Sequence, residues 1–359
     1  MKQWRLLVIA TALVAVLIGG YFAFGKGDGR GDQVSIRYGI TPFQDSALPV
    51  VAHNQGWYER DGLDVKFVDL GWTDVPLALA SGSVDVAIYN FDSFMSSYEQ
   101  LLKSNQELVF YAPLYTWNGA AIMVRGKDGI APIGELQGLS EEQKVERVRA
   151  AMGQLRGRRI GITEGTTFEQ TVRDALRIAG MDPRRDVQLI NARPEDNLAA
   201  FIAGDLDAFS AGLTERVQAR RNGGVELLTG PDVSVPVVDG LVARRSFVEA
   251  HPEAMQKLVS IWFETVQFMK VDVSGRSSAV RDYLRGKASV DYTADEYAIA
   301  WTFQYFPSSR QEARESFLNP SSRYYWRPIW KSNSDYLLGQ NKITAPIPES
   351  AFKGETTLN

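Results

Sequence analysis

An α/β fold in two similar lobes, preceded by an N-terminal transmembrane or signal helix, is what this 359-residue sequence predicts. Three observations predict it. Short apolar strands alternate with helical stretches, the pattern of parallel β-α-β units joined by right-handed crossovers. One phrase of helix end, glycine stop and buried strand is written twice, as "ALASGSVDVAIYN" at 78–90 and "AAFIAGDLDAFSAG" at 199–212. A third stretch, "LLVIATALVAVLIGGYFAF", runs without a charge from Leu6 to Phe24.

The N-terminus divides into three parts. Residues 1–5, with Lys2 and Arg5, place positive charge ahead of the apolar run, which predicts a cytoplasmic N-terminus and an exported remainder. Residues 6–24, at about 1.5 Å each, reach about 28 Å, close to a bilayer's hydrocarbon thickness. A cleavable signal has an apolar region of about 7 to 15 residues, so an uncleaved inner-membrane anchor is expected here. The alternative is cleavage at Ala23-Phe24-Gly25. With no cysteine in the chain, a lipid-modified N-terminus is excluded. The glycines of "GKGDGRGDQ" (25–33) follow a membrane segment rather than a strand and do not fit G-x-G-x-x-G, so they read as a flexible tether.

The two phrases align when Gly82 is laid on Gly204. At that offset Asp85 falls on Asp207, "RYGIT" (37–41) on "RIGIT" (159–163), Asp64-Val65 on Asp186-Val187, and Asp74 on Asp196. A repeat explains this better than two units converging on the same turns. In the first unit "SIRYGI" leads through a polar loop into a helix from about Ser46 to Gln55, stopped by Gly56. The strand "LDVKFVDL", a helix ending at Gly82 and the strand "VDVAIY" follow. The second unit repeats this with "RRIGI", a helix over Thr167–Ala179 stopped by Gly180, "DVQLINA", a helix ending at Gly204, and "LDAFSA". An extra helix, "GLSEEQKVERVRAAMGQL" (138–155), stands ahead of it.

Lobe 1 is expected over 34–115 and 236–359, and lobe 2 over 116–235. "VPVVDGLVARRSF" (235–247) returns the chain to lobe 1. The helical "HPEAMQKLVSIWFETVQFMK" (251–270) and "TADEYAIAWTFQYF" (293–306) then pack back on it. The aromatic "SSRYYWRPIWKSNSDYLLGQ" (321–340) lacks the basic surroundings of a nucleic-acid surface and reads as core.

Composition narrows the function. Net charge is −4 with pI near 5.5, which gives no basic face for nucleic acid. The absence of cysteine removes disulfides, thiol nucleophiles and cysteine metal sites, and no metal or cofactor is expected. The two histidines have structural readings, His53 inside a helical pattern and His251 before Pro252 at a helix start. Neither G-x-S-x-G nor H-E-x-x-H occurs, and no catalytic residue is assigned.

In open parallel sheets ligands bind beyond the carboxyl ends of the strands. The repeat therefore predicts loops 42–46, 89–93, 163–168 and 210–215 facing one cleft. They carry Phe43, Gln44 and Asp45; Asn90, Asp92 and Ser93; Gly165, Thr166 and Thr167; and Thr214 and Glu215. The crossovers near Tyr115, Trp117 and Asp239 form the floor. Trp72, Tyr115 and Trp117 offer flat apolar contact. Thr166 and Thr167 open a helix, where backbone N–H groups hold an anion; Thr166-x-x-Glu169 is equally a capping box. Asp45 has the alternative role of capping its own helix. Several acidic groups near a cleft point to a ligand with an amine or ring nitrogens.

The order of these phrases resembles the solute-binding proteins of ABC importers of the nitrate, taurine, aliphatic-sulfonate and thiamine-precursor type. The resemblance rests on "GWYERDGLDVKFVDLGWTDVPLALASGSVDVAI", "LRGRRIGITEGTTFEQTVRDALRIAGMDPRRDVQLI", "AAFIAGDLDAFSAG" and "VVDGLVARRSFVEAHPE", and covers about residues 34–270. It implies a two-lobed periplasmic-binding-protein fold of the second type, monomeric, closing on a small solute and delivering it to a permease and its ATPase. Two other functions stay open: a ligand-sensing module for a membrane partner, and an enzyme like the thiamine-pyrimidine synthases. The second would need a cysteine-rich iron motif that this chain lacks.

Overall fold

The structure is a computed structural model and describes residues 33–359 apart from 104–105, 118–119, 135, 137–138 and 235. Eleven strands are named among the described residues: β1 (Val34–Ile40), β2 (Leu63–Asp69), β3 (Val86–Asn90), β4 (Leu108–Trp117), β5 (Ala121–Arg125), β6 (Arg159–Ile162), β7 (Gln188–Asn191), β8 (Ala208–Ala211), β9 (Gly224–Thr229), β10 (Val237–Arg244) and β11 (Gln304–Tyr305). They form two sheets, ordered β2-β1-β3-β10-β4-β11 and β7-β6-β8-β5-β9. In each, three parallel strands are followed by one antiparallel strand, β10 or β5, that belongs to a later or earlier stretch of chain. The chain passes from the first sheet to the second after Trp117 and has returned by Val237.

The repeat is visible in the hydrogen-bond register. Tyr38 pairs with Val86 and Gly39 with Ala87; at the Gly82-to-Gly204 offset the same positions give Ile160 with Ala208 and Gly161 with Phe209. The aspartates of the repeat do the same work in both lobes. Asp85 accepts from the Arg37 backbone N–H at 2.9 Å, and Asp207 from that of Arg159 at 2.8 Å. Each ties the entry of the third strand to the first. Gly82 (φ 74°) and Gly204 (φ 93°) end their helices in the left-handed region, which a side chain disfavours.

Each lobe has its own interior. Lobe 1's core runs from Ile36 and Tyr38 through Phe91 and Phe110 to Trp326, Trp330 and Phe352, so the C-terminal helices close over the first sheet. In lobe 2, Ile160, Val172 and Leu176 pack on one face of the sheet and Phe201, Phe209 and Leu206 on the other. The aromatic stretch 321–340 supplies this core, with Trp326 and Trp330 buried in the helix Trp326–Gly339.

Three local expectations shift. The first helix starts at Pro49 rather than Ser46, because proline lacks an N–H and favours the first helical position; residues 43–48 form turns closed by Ala47 N–H to Phe43 O (3.0 Å). The helix Ala294–Trp301 stops short, and Gln304–Tyr305 instead pair with Trp117 and Thr116. The extra helix spans Glu141–Gly153 with a Ser140/Gln143 capping box.

The expectation of a membrane-crossing helix as part of the fold, and of an inner-membrane tether made by it, is corrected. Among the described residues no helix is long and apolar enough to cross a membrane. The 20-residue helix Pro252–Val271 carries Glu253, Lys257, Glu264 and Lys270, the charges of a helix with one solvated face. Residues 1–24 and the tether expected over 25–33, apart from Gln33, lie outside the described residues.

Candidate functional site

The carboxyl ends of the parallel strands in both sheets meet across one gap. β3 ends at Asn90, whose side-chain oxygen accepts from the Ser93 N–H (3.1 Å), so it caps the helix Phe91–Lys103. Its amide nitrogen, left free by that bond, donates across the gap to the Thr167 hydroxyl at 3.1 Å. The Thr167 hydroxyl in turn stands 3.2 Å from both oxygens of Asp92. Beside this, Ser93 Oγ lies 3.4 Å from Gly165 O, and Thr214 Oγ1 lies 3.4 Å from Gln44 Oε1. The lobes are closed on one another.

Between them lies a cavity of about 30 Å³, lined by Phe43, Gln44, Asp45, Trp72, Asn90, Trp117, Thr166, Thr167, Phe168, Gly212, Leu213 and Asp239. Aromatic rings make its walls. Phe43 meets Trp72 edge-on at 5.6 Å, and Trp117 meets Phe168 at 5.9 Å across the lobes. A larger cavity of about 530 Å³ adjoins it and is lined by Trp72, Asp74, Arg193, Thr214, Glu215 and Lys287 among others, with Phe43, Trp72, Thr166 and Phe168 shared.

Four buried carboxyls surround the gap, and burial pushes all of them up. Asp45 rises to about 6, its oxygens meeting the Ser46 N–H (2.8 Å) and the Gln304 amide (3.1 Å), with the Tyr115 hydroxyl beside it. Asp92 rises to about 7, with Thr167 opposing the shift and Glu169 adding to it. Glu215 also rises to about 7. Asp239 goes well above the ordinary value, through burial first and then repulsion from Asp45 and Asp92.

Among the expected site residues, the structure brings Phe43, Gln44, Asp45, Trp72, Asn90, Trp117, Thr166, Thr167 and Asp239 to the cavity wall. Asp92, Ser93 and Gly165 sit in the hydrogen-bonded seam between the lobes. Thr214 and Glu215 line the adjoining cavity. Tyr115 is fully buried, its ring stacked on Trp262 at 5.5 Å.

The two capping alternatives also resolve. Thr166 accepts from the Phe168 N–H (3.2 Å) and donates to Thr163 O, so it caps its helix. Glu169 reaches one residue further back than a capping box requires, to the Gly165 N–H at 2.8 Å. Asp45 lies four residues before the helix at Pro49 and does not cap it.

Phe168, Gly212 and Leu213 also line the cavity; they fall in the loops 163–168 and 210–215 expected at the cleft but are not among the residues singled out there. The signal for two of them was present in the repeat: the Gly82-to-Gly204 offset lays Gly212 on Asn90 and Leu213 on Phe91. Phe168 has no such marker, since Ser46 stands at the corresponding position.

Two α/β lobes with a single polar and aromatic gap at their strand ends define a periplasmic-binding-protein fold. Residues 29–281 match the NMT1-like family, and the chain belongs to it. Proteins of Brucella abortus (strain 2308) and Brucella suis biovar 1, named only as binding proteins, are 25% identical over 297 residues, covering 75% of this chain and 83% of theirs. The periplasmic aliphatic sulphonate binding protein of Escherichia coli has the same fold, with a TM-score of 0.63 at 16% identity over 90% of this chain and 97% of its own. The periplasmic nitrate-binding protein of Synechocystis PCC 6803 follows at TM-score 0.58 and 17% identity, over 74% of this chain and 69% of its own. The resemblance read from the sequence therefore holds: in fold the chain resembles the periplasmic sulphonate- and nitrate-binding proteins.

Proposed function

We propose that the protein is the extracytoplasmic solute-binding component of an ABC-type importer. It closes its lobes on a small organic nitrogen- or sulfur-containing solute and delivers that solute to a permease and its ATPase. The observation that carries this is the Asn90–Thr167–Asp92 seam across the gap. These side chains come from different lobes and close over a cavity whose walls hold both polar and aromatic residues. A solute bound there touches both lobes at once, so binding and closure stabilise each other. The periplasmic binding proteins that share the fold support a place outside the cytoplasm.

Thermal melting of the full chain against a panel of import substrates tests this. A solute at about 100 times its Kd adds about 2.7 kcal/mol, a clear rise in melting temperature. At least one solute is expected to give it, and Thr167→Ala is expected to weaken the rise while the protein stays folded. No rise with any solute, from a protein that melts cooperatively, would remove the proposal.

A further inference from the structure

Resting on that reading, we infer the charge of the solute: the geometry assigns the gap to a small organic cation with a flat apolar body, with Asp239 and Asp45 as its counter-charges. An amine, an amidine or a protonated nitrogen heterocycle has this chemistry.

The first ground is the wall of the cavity. It presents the carboxyls of Asp45 and Asp239 and, among the described residues, no lysine, arginine or histidine. On this wall a sulfonate or nitrate finds no counter-charge, the cations of the adjoining cavity, Arg193 and Lys287, being paired with Asp196 and Asp69, whereas a positively charged solute draws the two buried carboxyls into their charged form.

The second ground is Asp239 itself. It is 3% exposed and lines the cavity, and its Oδ2 has no hydrogen-bond partner among the described residues. Buried carboxyl oxygens without partners are rare, and one on a residue of the cavity wall leaves a hydrogen bond for a ligand to make. The backbone is shaped around this position. The β10–β4 ladder slips register between Asp239 and Gly240, and a bulge of this kind re-aims the side chain beside it. Gly240 allows the close packing that results, since a Cβ there would stand 2.1 Å from Ala112 O.

The third ground is the place where an anion would otherwise bind. The helix Thr167–Ala179 points its N-terminus at the gap, but Asp92 already stands against its first residue at 3.2 Å. That contact is with the Thr167 hydroxyl, and the Phe168 N–H is taken by Thr166, so a carboxyl of the protein already stands beside the approach an anion would use. The aromatic walls complete the fit, because rings such as Trp72 and Trp117 favour both a flat body and a positive charge. The cation is organic rather than metallic: among the described residues no three of His, Cys, Asp or Glu are grouped to hold a metal ion.

The test uses sets of matched probes on the full chain, read by calorimetric titration and melting. Each set keeps one carbon skeleton and changes only the charged group: benzylamine, benzyl alcohol and benzenesulfonate, then the pyridine and short alkyl counterparts. The expected result is binding of amines with Kd about tenfold or more below the matched alcohols and sulfonates. Asp239→Asn, nearly isosteric, is expected to abolish that preference, and Asp45→Asn, as a second variant, to reduce it. Preferential binding of sulfonates or alcohols overturns the cation assignment and leaves solute capture standing. An amine preference retained in both variants overturns the role given to the carboxyls. No binding by any skeleton in any charge state overturns this inference, while solute capture is decided separately by the melting panel of import substrates.

Discussion

Asp92 sits where burial and function pull in opposite directions. Its carboxyl is 4% exposed, it faces Thr167 and Glu169 from the second lobe, and burial raises its pKa to about 7. A raised carboxyl binds its proton more tightly in the folded, closed protein than in the unfolded chain. Its contribution is therefore greatest below about pH 4 and is lost as pH rises through about 7. Other aspartates run the opposite way: Asp85 and Asp207 are held below their ordinary value by arginines despite partial burial, and so lose stability on acidification. The net curve mixes both trends, so the informative quantity is the difference between wild type and Asp92→Asn. Relative to the variant, wild type is expected to lose on the order of 1–4 kcal/mol between pH 4 and pH 8. Chemical denaturation at several pH values measures it, and a flat difference would refute the assignment.

At the scale of the element, the repeat explains what was legible and what was not. Strand, helix and glycine stop were readable because each imposes a local pattern: alternating burial, a polar first turn, a left-handed residue. The site loops followed from the parallel order alone, since carboxyl ends of parallel strands share an edge. The antiparallel strands β5 and β10 carry no such local mark, because their place in each sheet is set by chain crossing between the lobes. Pro49 and the pairing of Gln304 with Trp117 moved element ends for reasons of register and tertiary contact. The membrane helix was read from an uncharged run behind Lys2 and Arg5, and residues 6–24 lie outside the described residues.

Asp85 and Asp207 were the most conspicuous residues of the repeat, yet they lie at the entry of the third strands, at the opposite end from Asn90 and Ala211. Asp85 accepts from the Arg37 backbone and guanidinium and from Arg244; Asp207 accepts from Arg159 and Arg158. The arginines are partly exposed and rehydrate on loss of the acid, so Asp85→Ala or Asp207→Ala is expected to cost about 1–3 kcal/mol. The rise in melting temperature given by a bound solute should be unchanged. A variant that melts normally but no longer responds to solute would place these residues in recognition after all.

For the whole molecule, closure rests on contacts outside the cavity as well as within it. Arg221 of lobe 2 pairs with Glu296 of lobe 1 at 3.2 Å and donates to Asp291 O at 2.6 Å. Lys342 of lobe 1 pairs with Glu164 of lobe 2 at 3.4 Å. Neither pair touches the cavity, and both are partly exposed, so each is worth about 0.2–1 kcal/mol. That is small for folding but large for a balance between open and closed lobes. A ligand that needs the closed form binds with its intrinsic Kd divided by the closed fraction, so a tilt of about 1 kcal/mol toward opening weakens binding about fivefold. The double variant Arg221→Gln/Lys342→Gln is therefore expected to bind the solute returned by the thermal screen several-fold more weakly. Without solute, its radius of gyration by X-ray scattering should exceed that of wild type, and saturating solute should bring the two together. Each lobe keeps its own core, so cooperative melting without solute should change little. Equal affinity and equal scattering in variant and wild type would show that the cavity contacts alone hold the lobes together, and that the rim pairs follow closure without contributing to it.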